Sequence, residues 1–153
     1  MDAESALEMK KTERQFQRIE SILGDGQKLS FRQSVDKFYG HLQCSLVLSC
    51  EATGIEDFDW EEFYVLGSGD PKEYTRLKKH RPSSRDHFAL LAIKRDVVSE
   101  WMLFGGDDIA AHVRRTSDGK EFYLGLAELK AVDKRSPNHQ LLDDYAVFFT
   151  SYR

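Results

Sequence analysis

The stretch that decides the fold is Leu42–Gly67, which reads LQCSLVLSCEATGIEDFDWEEFYVLG. Two apolar runs with strand character, 46–50 and 63–66, flank an acidic connection. No Lys or Arg occurs between Cys44 and Asp70, so these carboxylates have no basic neighbour in sequence. Clustered carboxylates repel each other unless solvent screens them or a cation binds. The stretch therefore predicts a sheet that carries an acidic loop.

The composition predicts one packed domain over residues 1–153. Its 153 residues are 41% hydrophobic and 12% aromatic, with a net charge of −4, which fits a folded domain that can bury a core. The acidic balance argues mildly against a general nucleic-acid binder, but acidic and basic residues are concentrated in separate stretches, so the net charge decides little. The first twenty residues are charged throughout, so neither a secretory signal nor a membrane span is predicted, and a cytoplasmic location is expected.

Along the chain, the spacing of apolar residues predicts helices first and short strands afterwards. Residues 141–152 fit either helix or strand, and their aromatic spacing favours a helix. An Asp-Gly turn at Asp118 predicts a hairpin. The predicted helices are 4–23, 31–42, 71–80 and 141–152, and the predicted strands are 46–50, 63–66, 87–93, 97–104, 109–115 and 121–126. This order predicts an α+β fold, with a helical segment (1–43) followed by a small, mainly antiparallel β-barrel (44–153).

The chemical motifs favour binding over catalysis. The five histidines lack the spacing of a zinc site, and no nucleophile or phosphate-loop motif is present, so an enzyme is not expected. Carboxylates on a loop suit a hard cation such as Ca²⁺. An EF-hand is excluded because its glycine position is Glu62 and its twelfth position is Ser68. The candidate metal ligands are Glu56, Asp57, Asp59, Glu61 and Glu62, with Asp143 and Asp144 as a second patch.

Each candidate ligand has an ordinary structural alternative. The acidic loop can be a solvated loop that binds nothing, and Asp143 and Asp144 can serve as residues of a helix start. A second possible function is a protein- or nucleic-acid-interaction module that uses the N-terminal helix and the basic segment 72–85. A third is self-association of two copies through Leu7, Phe16 and Ile19.

The order of features resembles the family of small cyanobacterial calcium-binding proteins (the CcbP type). The stretches that carry the resemblance are FYGHL (38–42), LVLSC (46–50), WEEFYVLG (60–67), EFYLGLAELKAVD (121–133) and LDDYAVFF (142–149). The resemblance implies an SH3-like barrel and Ca²⁺ binding through surface carboxylates. This chain departs from it by an insertion of a basic helix and loop at about 67–108, and by a lower acidic content, so no specific ligand residue is carried over.

Overall fold

The computed structural model describes residues 2–24 and 28–153. The helices are α1 (Ala3–Leu23), α2 (Phe31–Ser45), α3 (Asp59–Val65), α4 (Pro71–Leu77) and α5 (Pro137–Ser151), and a 3₁₀ turn spans Leu126–Glu128. The strands are β1 (Cys50–Gly54), β2 (Phe88–Lys94), β3 (Ala110–Arg115), β4 (Glu121–Gly125) and β5 (Leu129–Ala131). The predicted α+β class is confirmed.

The five strands form one antiparallel sheet with the order β4-β3-β2-β1-β5. The predicted hairpin is confirmed as β3 and β4, and Gly119 supplies the positive φ of 76° that its turn requires. Within residues 2–24 and 28–153 the edge strands β4 and β5 are not paired with each other. The sheet is therefore open, and the predicted closure into a barrel is not seen.

The core lies between the sheet and the helices α1, α2 and α5. Helix α5 contacts β5 and the 3₁₀ turn, and it also packs on α1 and α2. Aromatic rings fill the space between the helices: Phe38 stacks on Phe148 with 4.5 Å between ring centroids, and Tyr145 and Phe149 are also buried. Burial of each such side chain stabilises the fold by about 1.5–3 kcal/mol. This packing fixes α5, and with it one wall of the candidate site.

Two predicted helices are confirmed with clear start signals. Helix α4 begins at Pro71, and the Asp70 side chain caps it by accepting a hydrogen bond from the Lys72 amide. Helix α5 begins at Pro137 behind the cap residue Ser136, which resolves the alternative at 141–152 in favour of helix. None of the described helices combines the length and the apolar character needed to cross a membrane.

Three predicted strands are wrong in place or in kind. The strand expected at 46–50 begins at Cys50, because helix α2 continues to Ser45. The strand expected at 63–66 is the end of helix α3, whose first turn carries acidic residues that the helix dipole stabilises. Residues 97–104 form turns rather than a strand.

Candidate cation-binding cavity

A cavity of about 360 Å³ lies beside the acidic segment. Its walls come from the loop before α3, the exposed side of α3, the 3₁₀ turn and α5. The residues that line it are Ile55, Glu56, Asp57, Asp59, Glu62, Leu103, Phe104, Ala127, Glu128, Asp143, Ala146, Val147, Phe149 and Thr150. Five of the seven predicted ligands therefore meet at one cavity, and Glu61 and Asp144 do not.

The fold explains why these five carboxylates converge. Asp59 and Glu62 are three residues apart on α3, so they share a helix face. Asp143 reaches the cavity from α5, which the aromatic core holds in place. The loop carrying Glu56 and Asp57 is fixed by the Ile55 amide, which donates a 2.9 Å hydrogen bond to the Glu128 carbonyl. The two acidic patches of the sequence are therefore one surface.

The cavity combines a negative rim with an apolar floor. Its apolar lining includes Phe104, Val147 and Phe149, and none of its lining residues within the described ranges is Lys, Arg or His. Two basic groups approach the cavity from outside its lining: the Arg85 guanidinium lies 3.4 Å from the Asp57 carboxylate, and the Arg153 guanidinium lies 3.7 Å from the centre of the Phe104 ring. The Asp59 carboxylate is exposed, so it remains available to a ligand in solution.

Glu128 is a cavity residue that the sequence analysis missed. Its carboxylate accepts a 3.3 Å hydrogen bond from the Leu103 amide. Burial raises the pKa of Glu128 to about 7, and the charge of Asp59 adds to the rise. The sequence offers one signal for Glu128: it is the one acidic residue between positions 124 and 131. An isolated acid in such a run faces either solvent or a polar pocket, and sequence alone does not separate the two.

Another acid, Asp108, is buried close to the half-buried Glu128. Its carboxylate accepts hydrogen bonds from the Tyr145 hydroxyl (2.6 Å) and the Ile109 amide (2.7 Å). Burial raises the pKa of Asp108 to about 7 against the opposing effect of these bonds. A Cβ atom at Gly125 would lie 2.5 Å from an Asp108 oxygen and 2.6 Å from a Glu128 oxygen. Glycine at this position therefore leaves room for both carboxylates.

Glu61 is a structural residue rather than a candidate ligand. Its side chain is fully buried. It accepts four hydrogen bonds, from the Tyr74 hydroxyl (2.5 Å), the Ser83 hydroxyl (2.7 Å), the Ser84 amide (2.7 Å) and the Phe58 amide (3.2 Å). These donors occupy the oxygens that a metal would need. The placement of Glu61 among the metal ligands is not supported by its surroundings.

Asp144 is also engaged within the fold. It is buried, and the Arg18 guanidinium binds it through two hydrogen bonds of 2.8 and 2.9 Å. Gln15 donates to both Asp143 (2.8 Å) and Asp144 (3.0 Å). The bidentate ion pair between Arg18 and Asp144 connects α1 to α5. Asp144 is therefore an ion-pair partner, whereas its neighbour Asp143 faces the cavity.

The basic segment 72–85 is largely occupied by contacts with its own domain. The Arg81 guanidinium lies 5.3 Å from the centre of the Trp60 ring, and the Lys78 ammonium lies 4.3 Å from that of Tyr74. Arg85 donates a 2.8 Å hydrogen bond to the Tyr74 hydroxyl as well as pairing with Asp57. These contacts leave fewer cations for a nucleic-acid backbone than the sequence suggests.

The proposed self-association surface on α1 is partly used by the core. Ile19 is fully buried, and the Phe16 ring packs 6.3 Å from the ring of Tyr152. Leu7 remains exposed, as does Met9. Of the three residues predicted for a contact between copies, Leu7 alone is therefore freely presented.

The cavity has carboxylates but no ready-made metal cage. In residues 2–24 and 28–153, no group of three or more His, Cys, Asp or Glu side chains is placed to hold a metal ion. Comparison with known proteins adds no assignment: no family model, no curated protein and no solved structure matches this chain. The resemblance to the calcium-binding family thus stays a prediction.

Proposed function

We propose that the protein is a non-enzymatic cation-binding protein and that the acidic cavity is its site. The observation that supports this proposal is the convergence of six carboxylates on one cavity whose lining, among the described residues, contains no Lys, Arg or His. Carboxylates gathered beside low-dielectric walls concentrate negative potential there. A bound cation relieves the repulsion between them.

The donor set favours Ca²⁺ as the first cation to test. Carboxylate oxygens are hard ligands, and Ca²⁺ accepts six to eight oxygens in flexible geometry. Because no three of the described carboxylates are close enough together to hold a metal ion, an ion would draw Asp59, Glu62 and their neighbours together and keep several water ligands. We therefore expect a dissociation constant of about 10⁻⁴ M, in the weak part of the range for calcium sites.

The test is a titration of Ca²⁺, and separately of Mg²⁺, into metal-free protein, followed by calorimetry and tryptophan fluorescence. Trp60 lies on α3 next to Asp59, and Trp101→Phe removes the second tryptophan signal. The decisive variant is Asp59→Asn/Glu62→Gln, because both residues are exposed and line the cavity. The matched control is Glu4→Gln/Glu13→Gln, which removes the same charge from the exposed side of α1.

Saturable heat with Ca²⁺ that disappears in the cavity variant and persists in the control supports the proposal. It is overturned by the absence of heat and spectral change up to several millimolar Ca²⁺, and equally by unchanged binding in the cavity variant. The SH3-like barrel and the cytoplasmic location that go with this reading remain predictions.

A further inference from the structure

Helix α3 presents an unusual exposed face. At about 100° per residue, Asp59, Glu62, Phe63 and Leu66 fall within an arc of about 100°. Phe63 is 59% exposed and Leu66, the residue that caps the helix, is 79% exposed. We call these four residues the α3 stripe. Around the helix, its two carboxylates alternate with its two large apolar side chains.

The opposite face of α3 already holds the helix in place. The Trp60 indole N–H donates a 2.7 Å hydrogen bond to the Pro82 carbonyl. The Tyr64 ring stacks on Tyr74, with 5.3 Å between centroids and 6° between planes. Helix α3 therefore does not need its exposed face for its own packing, and the two apolar side chains there are not part of the core.

The stripe is continuous with the mouth of the cavity. Asp59 and Glu62 belong to both, and Ile55 and Leu103, which line the cavity, are 40% and 48% exposed. Apolar and acidic groups thus extend from the cavity along the helix for about 10 Å, from Asp59 to Leu66. Contiguous exposed apolar surface with a polar rim is typical of a protein interaction site.

We propose that the α3 stripe and the cavity mouth bind a basic amphipathic helix of a partner protein. The apolar side of such a helix would cover Phe63 and Leu66, and its Lys or Arg side chains would lie against Asp59 and Glu62. The cavity would take one apolar side chain of that helix on its apolar floor, and a neighbouring Lys or Arg would lie at its acidic rim. This partner supplies both chemistries that the surface presents.

The charge of the surface argues against other occupants. Carboxylates disfavour nucleic acid and anionic membranes. A second copy offers the exposed first half of α1, where Leu7 and Met9 are flanked by Glu4, Glu8 and Glu13 as well as by the basic residues Lys10, Lys11 and Arg14. That segment lacks the net positive charge that the stripe would select.

The test measures binding of a labelled Leu/Lys amphipathic helical peptide, about five turns long, by fluorescence anisotropy. Phe63→Ser/Leu66→Ser should weaken binding about tenfold or more, because loss of even one buried apolar side chain costs this much. Val47→Ser/Val98→Ser is the matched control, since these residues are 67% and 65% exposed at other places. Leu66→Ser alone serves as a second variant if the double variant folds poorly.

The peptides provide the second control. A Lys/Ser peptide of equal charge should bind at least about tenfold more weakly than the Leu/Lys peptide, and a Leu/Glu peptide should not bind. Equal binding of the Lys/Ser peptide, or equal loss in the Val47/Val98 control, overturns the proposal. So does a dimer of the free protein in sedimentation that Phe63→Ser/Leu66→Ser abolishes, because the occupant is then a second copy.

The inference shares Asp59 and Glu62 with the proposed cation site, but its decisive variant changes only apolar residues. A Phe63→Ser/Leu66→Ser protein that loses the peptide and keeps its Ca²⁺ response supports both proposals. Peptide binding without any Ca²⁺ response supports the partner site and removes the cation site. The two proposals can therefore fail separately.

Discussion

Replacement of Glu61 by alanine should destabilise the fold strongly. The side chain is fully buried in the wild type, and it binds donors from two segments that are distant in sequence. The donors are the Phe58 amide, the Tyr74 hydroxyl, the Ser83 hydroxyl and the Ser84 amide. Alanine leaves all four without their acceptor. The hydroxyls can rotate toward other acceptors, but the two backbone amides cannot.

The magnitude follows from those two amides. A buried donor without a partner costs about 1–3 kcal/mol, so Glu61→Ala should lower the free energy of unfolding by about 2–6 kcal/mol. For a domain of this size about 1 kcal/mol shifts the melting temperature by about 2–4 °C. Urea and thermal unfolding followed by circular dichroism measure the loss. The matched control is Glu62→Ala, an exposed neighbour on the same helix, which should change stability by no more than about 0.5 kcal/mol.

The lowered pKa of Glu61 also predicts that the stability of the fold depends on pH in the acidic range. Burial raises the pKa of Glu61, but the hydrogen bonds from Tyr74, Ser84, Ser83 and Phe58 together outweigh it and lower the pKa below the ordinary value. An acid with a lowered folded-state pKa contributes stability above its unfolded pKa, and this contribution is lost as the pH falls through the folded pKa. Glu61→Gln should therefore flatten the decline of stability below about pH 4. Equal stability of the Glu61→Ala and Glu62→Ala proteins would refute this account of the site.

Three further predictions concern groups outside α3. Arg115 is buried and donates to backbone carbonyls of residues that follow α4 and to two carboxylates. Arg115→Met should therefore lower the free energy of unfolding in urea by about 3–5 kcal/mol, whereas Arg114→Met, at its exposed neighbour, should not. Because burial raises the pKa of Asp108 to about 7, the folded state keeps this proton longer than the unfolded state, and stability should fall as the pH rises from about 4 to about 7. Asp108→Asn should reduce that slope in unfolding curves measured across the range; an unchanged slope would contradict the assignment. Gly125→Ala should lower the melting temperature, because its Cβ would meet the carboxylates of Asp108 and Glu128. Gly40→Ala should not, because no atom outside the adjacent residues and the helix's own backbone lies within 4 Å of the added Cβ.

Local signals predicted much of the fold correctly. The hairpin turn at Asp118 and the helices predicted at 4–23 and 31–42 each depend on neighbours in sequence, and all are seen in the structure. The open sheet was not predictable in the same way. Whether β4 and β5 meet depends on the twist of the whole sheet and on which face α5 covers, and both are tertiary properties.

The acidic stretch shows why a pattern of residues can be read in two ways. The run Phe63–Leu66 is apolar and short, so it fits a strand as well as the end of a helix. The acids at 59, 61 and 62 favour the helix, because negative charge in a first turn stabilises it. Once α3 forms, its period of 3.6 residues turns Glu61 toward the core and leaves Asp59 and Glu62 outside.

This geometry accounts for the division of roles among the candidate ligands. Position on the helix, rather than acidity, separates the buried acceptor Glu61 from the cavity residues Asp59 and Glu62. The same holds on α5, where Asp144 turns inward to Arg18 and Asp143 turns to the cavity. In the pairs Glu61/Glu62 and Asp143/Asp144, the two neighbouring carboxylates point about 100° apart around the helix. On each of these two helices one acid thus binds groups inside the fold and its neighbour faces the cavity, so neutralising the inward acid should lower the free energy of unfolding, whereas neutralising the outward one should change it by no more than about 0.5 kcal/mol.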